Sequence, residues 1–120
     1  MIFRKKIIWY KVFDADFLKL NEPELKIPIA VHVANKSICL IKLETGYFAV
    51  NDICPHQGAS LSSGHCSGEN IVCPWHKLEF NLVSGRQAGG GGDYVRAYPV
   101  ELRADGLYIG IEKTVFSLFE

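Results

Sequence analysis

Two short clusters limit what this chain can become: Cys54-Pro55-His56 and, after sixteen intervening residues, Cys73-Pro74-Trp75-His76. Written as C-x-H-x16-C-x-x-H, the pattern gives each of two loops one thiol and one imidazole. The proline inside each pair fixes a backbone angle and withholds an amide hydrogen, which favours tight irregular loops whose other amides can point at sulfur. A tetrahedral zinc takes the same donors, but zinc fingers usually keep two cysteines together and two histidines together. A cysteine hydrolase would need a nucleophile elbow or an orienting third group beside Cys54 or Cys73, and neither loop shows one. Two facing loops of this make-up can instead supply one iron with two sulfurs and a second iron with two nitrogens.

Outside these clusters the chain reads as β. Alternating or β-branched runs cover Ile7 to Phe13, Ile27 to Val33, Ser37 to Leu43, Tyr47 to Val50, Tyr94 to Ala97, Val100 to Arg103 and Leu107 to Glu112. Turn signals at Asn35-Lys36, Glu44-Thr45-Gly46, Ser84-Gly85 and Ala104-Asp105-Gly106 are spaced for antiparallel hairpins. Only Ala15 to Glu24 has helical character, and Pro23 limits it. From Asn51 to Phe80 apolar periodicity stops, so this stretch is expected to be long loop ordered by a metal centre rather than by a core of its own.

At 120 residues, with 48% apolar, the chain is expected to be one domain spanning 1–120 with a core that needs no disulfides. Thirteen basic residues balance thirteen acidic ones, so no net field gathers nucleic acid or an anionic membrane. The basic run Arg4 to Lys6 precedes only Ile7 to Tyr10 before Lys11, too short for a membrane span, and a cytoplasmic setting is expected. Four cysteines without secretory context point to metal or redox chemistry.

The stretches Asn51-Asp52-Ile53-Cys54-Pro55-His56-Gln57-Gly58-Ala59 and Cys73-Pro74-Trp75-His76 resemble the Rieske ferredoxin family, and the likeness runs from about Val31 through Gly110, taking in Gly85 and Tyr98-Pro99-Val100. The resemblance implies an all-β fold: two antiparallel sheets forming a base sandwich, with a cluster-binding subdomain inserted at about residues 52–82. It further implies a [2Fe-2S] cluster held by Cys54, His56, Cys73 and His76, with both histidines exposed at a tip. Two thiolates, two sulfides and two ferric ions make a formally neutral core, so adding an electron costs less than in a four-thiolate cluster. Such centres lie between roughly −150 and +300 mV, against about −400 mV for four-cysteine plant-type ferredoxins. High-potential members of the family carry a disulfide between the loops at the positions of Ala59 and Trp75, and hydroxyl donors to sulfur at those of Leu78 and Phe80. Lacking both, this chain is expected at the low end, about −150 mV.

The implied role is one-electron transfer from a flavin-dependent or ferredoxin reductase to a terminal oxygenase or similar metalloenzyme, as a carrier rather than an enzyme, with no nucleic-acid or membrane partner. Pro55, Gln57, Trp75 and Lys77 would rim the contact around His56 and His76. Two alternatives are a small subunit of a nitrite-reductase-like complex, marked by an exposed apolar patch, and a redox- or metal-sensing module. The remaining chemistry-bearing residues read more plainly. Cys39 belongs to the core, and Cys66 beside His65 is a bystander thiol in a Gly/Ser-rich loop. His32 makes an ordinary hydrogen bond. Gly89 to Gly92 form a loop rather than a phosphate cradle, since no Lys-Ser or Lys-Thr follows. Trp75 and Phe80 are expected to pack over the cluster and shield it.

Overall fold

A computed structural model describes residues 2–21, 26–55 and 58–117. In chain order the elements are β1 (Ile2–Asp14), α1 (Ala15–Leu20), β2 (Ile29–Val33), β3 (Lys36–Leu43), β4 (Gly46–Asn51), β5 (His65–Ser67), β6 (Asn70–Val72), β7 (Glu79–Asn81), β8 (Ala97–Tyr98), β9 (Val100–Arg103) and β10 (Gly106–Ser117). They form three antiparallel sheets: a three-stranded β1-β10-β9, a four-stranded β2-β3-β4-β8, and a small three-stranded β5-β6-β7.

Strand β3 explains how the layers stack. Side chains alternate across a strand, and both faces of Ile38 to Ile41 are apolar. Ile38 and Leu40 join Leu107, Ile109, Ile111 and Tyr98 in a core against the β1-β10-β9 sheet. Cys39, Ile41 and Leu43 turn the other way, into a second core with Leu61, Ile71, Phe80 and Leu82. Strand β4 repeats the division, with Ala49 in the first core and Val50 in the second. The four-stranded sheet is thus buried on both faces, and Cys54 and Cys73 lie on its second side.

The expected two-sheet base is present, and the strand bounds differ for local reasons. The β2–β3 turn falls on Ala34-Asn35, both left-handed at φ 49° and 64°, one residue earlier than Asn35-Lys36. Such a two-residue turn with both φ positive matches the twist of its flanking strands. Strand β8 begins at Ala97 rather than Tyr94, because Tyr94 bridges to Arg86 and the Val95 amide donates to the Gly85 carbonyl at 2.8 Å. Helix α1 stops at Leu20; Glu22 to Glu24 lie outside the described residues.

The stretch from Asn51 to Phe80 needs a larger correction. It is not loop alone: it holds β5, β6 and a short 3-10 turn at Leu61–Ser63, and β7 begins at its end. Nor is a metal centre all that orders it, since Leu61, Ile71 and Phe80 are fully buried against the odd-numbered face of β3. Strands of three residues are too short to print an alternation in the sequence. Among the described residues no helix is long and apolar enough to cross a membrane.

Candidate metal centre

Both candidate loops are built as small hairpin tips. At the first, β4 ends and Asp52 anchors the chain. Its amide donates to the Ser37 carbonyl at 3.0 Å, its carbonyl accepts the Leu61 amide at 2.6 Å, and its buried carboxylate accepts the Ser62 amide at 2.7 Å. Ile53 bridges to Ser60, and the Cys54 amide donates to the Ala59 carbonyl at 2.8 Å. Beyond it the chain returns through Gly58, at φ 76°, whose amide donates to the Cys54 carbonyl at 2.9 Å.

The second loop closes in the same way. Register Val72↔Glu79 of β6 and β7 runs on into a Cys73 amide to Leu78 carbonyl bond of 2.7 Å, leaving residues 74–77 as the tip. Here the chain returns through His76 at φ 61° and Lys77 at φ 57°. For a residue with a Cβ, that left-handed backbone costs roughly 1–2 kcal/mol. The second tip is therefore strained where the first uses glycine.

At the roots of the tips the two cysteines meet. Cys54 and Cys73 are each 1% exposed, in one apolar cluster with Ala59, Leu61, Phe80 and Leu82, and a hydrogen bond joins their side chains. Burial pushes the Cys73 thiol above its ordinary pKa; the Trp75 backbone amide, bonded to its sulfur, pulls it back, and the neighbouring Cys54 pushes it up again. The bare Cys73 thiol so placed resists ionisation, and a bound ferric ion would supply the charge that favours its thiolate. A proximal thiol pair, a dry apolar surround and an amide aimed at sulfur fit an iron–sulfur cluster.

His76 is exposed at the second tip. His56 and Gln57 lie outside the described residues. Among the described residues no three of His, Cys, Asp and Glu gather closely enough to hold one ion.

The other singled-out residues take the following places. Cys39 is fully buried, and burial first, then Asp52 and Cys66, drive its thiol far above the ordinary range. His32, exposed on β2, pairs its Nδ1 with the Ser37 hydroxyl at 3.2 Å. Gly89 to Gly92 are an exposed loop with a short 3-10 turn at Ala88–Gly90. Cys66 is not in a loop: it lies in β5, half-buried against the core that holds Cys54 and Cys73, and burial raises its thiol. Cys66→Ser is expected to leave the visible absorption and iron content unchanged, at a stability cost of about 1 kcal/mol for the buried hydroxyl; bleaching in that variant, read by absorbance and iron assay, would overturn the ligand choice. Phe80 is buried as expected, but Trp75 is 54% exposed, because the second residue of a four-residue tip stands away from the sheet. Asp52 carried no role in the sequence reading, and no sequence signal marks a carboxylate that holds a loop ten residues on.

Fold and site together define a Rieske [2Fe-2S] domain. The chain belongs to that family, whose match covers residues 8–96, and its cofactor is the Rieske cluster. It is 33% identical over 73 residues to the methylxanthine N1-demethylase NdmA of Pseudomonas putida, a match covering 61% of this chain and only 21% of that protein. With the ferredoxin component of the naphthalene 1,2-dioxygenase system of Pseudomonas aeruginosa it shares 27% over 84 residues, covering 69% of this chain and 81% of the other. Among solved structures, a chain of the complex of reduced oxygenase and oxidized ferredoxin in carbazole 1,9a-dioxygenase superposes with a TM-score of 0.70 at 25% identity, covering 83% of this chain and 99% of that one.

Proposed function

We propose that this protein is a one-electron carrier whose cluster is held by Cys54 and Cys73 on one iron and by His56 and His76 on the other. The observation that carries the reading is the buried, hydrogen-bonded pair Cys54 and Cys73 at the roots of two alike loops. The cluster, when bound, supplies a one-electron couple. Leu61, Phe80 and Leu82 keep water from the cysteine side, and the exposed second tip puts His76 where a partner can approach. Leu78 and Phe80 offer no hydroxyl to sulfur, which favours the low end of the Rieske range, about −150 mV.

The chain acts as a single domain over 1–120, with the cluster-binding insertion at about 52–82, in the cytoplasm. It takes electrons from a flavin-dependent or ferredoxin reductase and passes them to a terminal oxygenase or similar metalloenzyme. Similarity to a dioxygenase-system ferredoxin component over most of that protein's length supports this. One feature favours the second reading, a fixed subunit of a reductase complex: Phe3, Ile7 and Phe116 are exposed on the β1–β10 ribbon, an apolar surface that a large subunit could cover.

The test is low-temperature electron paramagnetic resonance on dithionite-reduced protein, with iron, sulfide and zinc assayed in the same sample. The expected result is a rhombic signal with the low average g of mixed nitrogen and sulfur ligation, at equal iron and sulfide. A silent, colourless, zinc-loaded sample prepared anaerobically with ample iron would remove the electron-carrier reading.

A further inference from the structure

The two ligand loops are internal controls for one another. Each is closed by a bond from a cysteine amide to the carbonyl five residues on, Cys54 to Ala59 at 2.8 Å and Cys73 to Leu78 at 2.7 Å. The fourth tip residue is left-handed in both, at φ 76° in Gly58 and φ 57° in Lys77. Glycine adopts that backbone freely and lysine does not. The first tip thus takes the unstrained residue, and the second carries a long cation at the same place, one residue from His76. A lysine is not needed to make the turn, so its side chain is the feature to explain.

That side chain is exposed, and among the described residues it has no ion-pair partner. The carboxylate two residues on, Glu79, accepts from the Asn70 side-chain amide at 3.2 Å and makes no ion pair with Lys77. The two loops also expose apolar groups, Trp75 at 54%, Ile53 at 51%, and Pro55. An apolar surface with an exposed, unpaired lysine matches an apolar hollow with an acidic rim.

We propose that Lys77 is a partner-selecting residue, kept in a left-handed backbone so that a positive charge stands beside the electron exit and favours an acidic, apolar-floored docking site on a redox protein. This rests on the proposed ligand loops. Charge of this kind acts mainly on the association rate and its salt dependence.

The test uses reduced holoprotein, Lys77→Gly and Lys77→Glu, and three one-electron oxidants: hexacyanoferrate(III), hexaammineruthenium(III) and plastocyanin as an acidic protein. One electron passes from the protein to the oxidant, and no bond is made or broken. At low ionic strength Lys77→Gly is expected to react about three- to ten-fold more slowly with hexacyanoferrate(III), with Lys77→Glu slower still, and both effects should shrink in high salt. Plastocyanin should follow the same order, and hexaammineruthenium(III) the reverse. Reduction potentials measured alongside separate driving force from encounter. The thermal midpoint of Lys77→Gly should not fall, because glycine relieves the backbone, so a slower rate would not be a folding defect. Wild-type rates in Lys77→Gly with all three oxidants would overturn the role of Lys77 while leaving a rhombic resonance, and with it the ligand assignment, intact. Absence of that resonance in the wild type would overturn both.

Discussion

Cys54→Ser and Cys73→Ser are each expected to yield a colourless protein with iron and sulfide near zero and no rhombic resonance, yet with its strands formed. The two thiols face each other at 1% exposure, so no second donor from bulk solvent can substitute without opening the core. A serine hydroxyl ionises far less readily than a thiol and is a harder donor, poorly matched to the iron of a sulfide-bridged cluster. Loss of one thiolate leaves its partner on an iron with an incomplete shell, and that half-held cluster is lost to chelators and air. Structural damage should be modest by comparison. Serine is close to cysteine in volume, and the neighbouring thiol offers its hydroxyl a hydrogen-bond partner, so the cost to the apoprotein is about 1–2 kcal/mol. Metal analysis and visible absorbance, with far-ultraviolet circular dichroism on apoprotein of both forms, separate the two effects. Wild-type iron and sulfide in Cys73→Ser would sink the assignment, and bleaching of Cys66→Ser beside retained colour in Cys54→Ser would transfer the role to the half-buried thiol of β5.

Ligand spacing was legible in the sequence because cysteine, histidine and proline are rare enough to stand out at short intervals. The base sheets were legible where strands are long and flanked by tight turns: β9 occupies Val100–Arg103 as expected, and β3 differs by one residue. Length also explains what was missed. The three strands of the small sheet span three residues each and show no period, so their core was invisible until Leu61, Ile71 and Phe80 were seen against Cys39 and Ile41. Strand β1 starts at Ile2 rather than Ile7, since Arg4, Lys5 and Lys6 read as polar although their backbones pair with Val115, Thr114 and Lys113. Trp75 was misjudged because aromatic character says nothing about whether a four-residue tip faces inward. The anchoring by Asp52 depends on a backbone amide, which every residue except proline carries.

Gly85→Ala is expected to destabilise the fold more than any other single-methyl change at a described glycine turn, by about 3–5 kcal/mol. Gly85 is buried at φ 76°, and a Cβ built on it would lie 1.9 Å from the Val95 carbonyl oxygen. The obstacle is backbone and cannot swing aside as a side chain would. Its own amide donates to the Asn81 carbonyl at 2.8 Å, and its carbonyl accepts the Val95 amide at 2.8 Å. The Asn81 side chain holds the same turn by accepting the Val83 and Ser84 amides, each at 2.9 Å. A methyl group at Gly85 must therefore push Val95 away, breaking the bond that ties the small sheet to the chain leading into β8 and lifting Val95 out of the core it shares with Cys54 and Cys73. For a domain of this size the thermal midpoint should fall by roughly 15–25 °C. Gly68→Ala is the control: that glycine is also left-handed, at φ 60°, but has open space around its Cβ. It isolates the backbone term, about 1–2 kcal/mol. Apoprotein midpoints of the two variants then differ by the contact with Val95 alone, and equal midpoints would show that the small sheet gives way at that point without loss. In the holoprotein Gly85→Ala should also speed iron release to a chelator, because the displaced Val95 lines the core that holds Cys54 and Cys73, the proposed ligands.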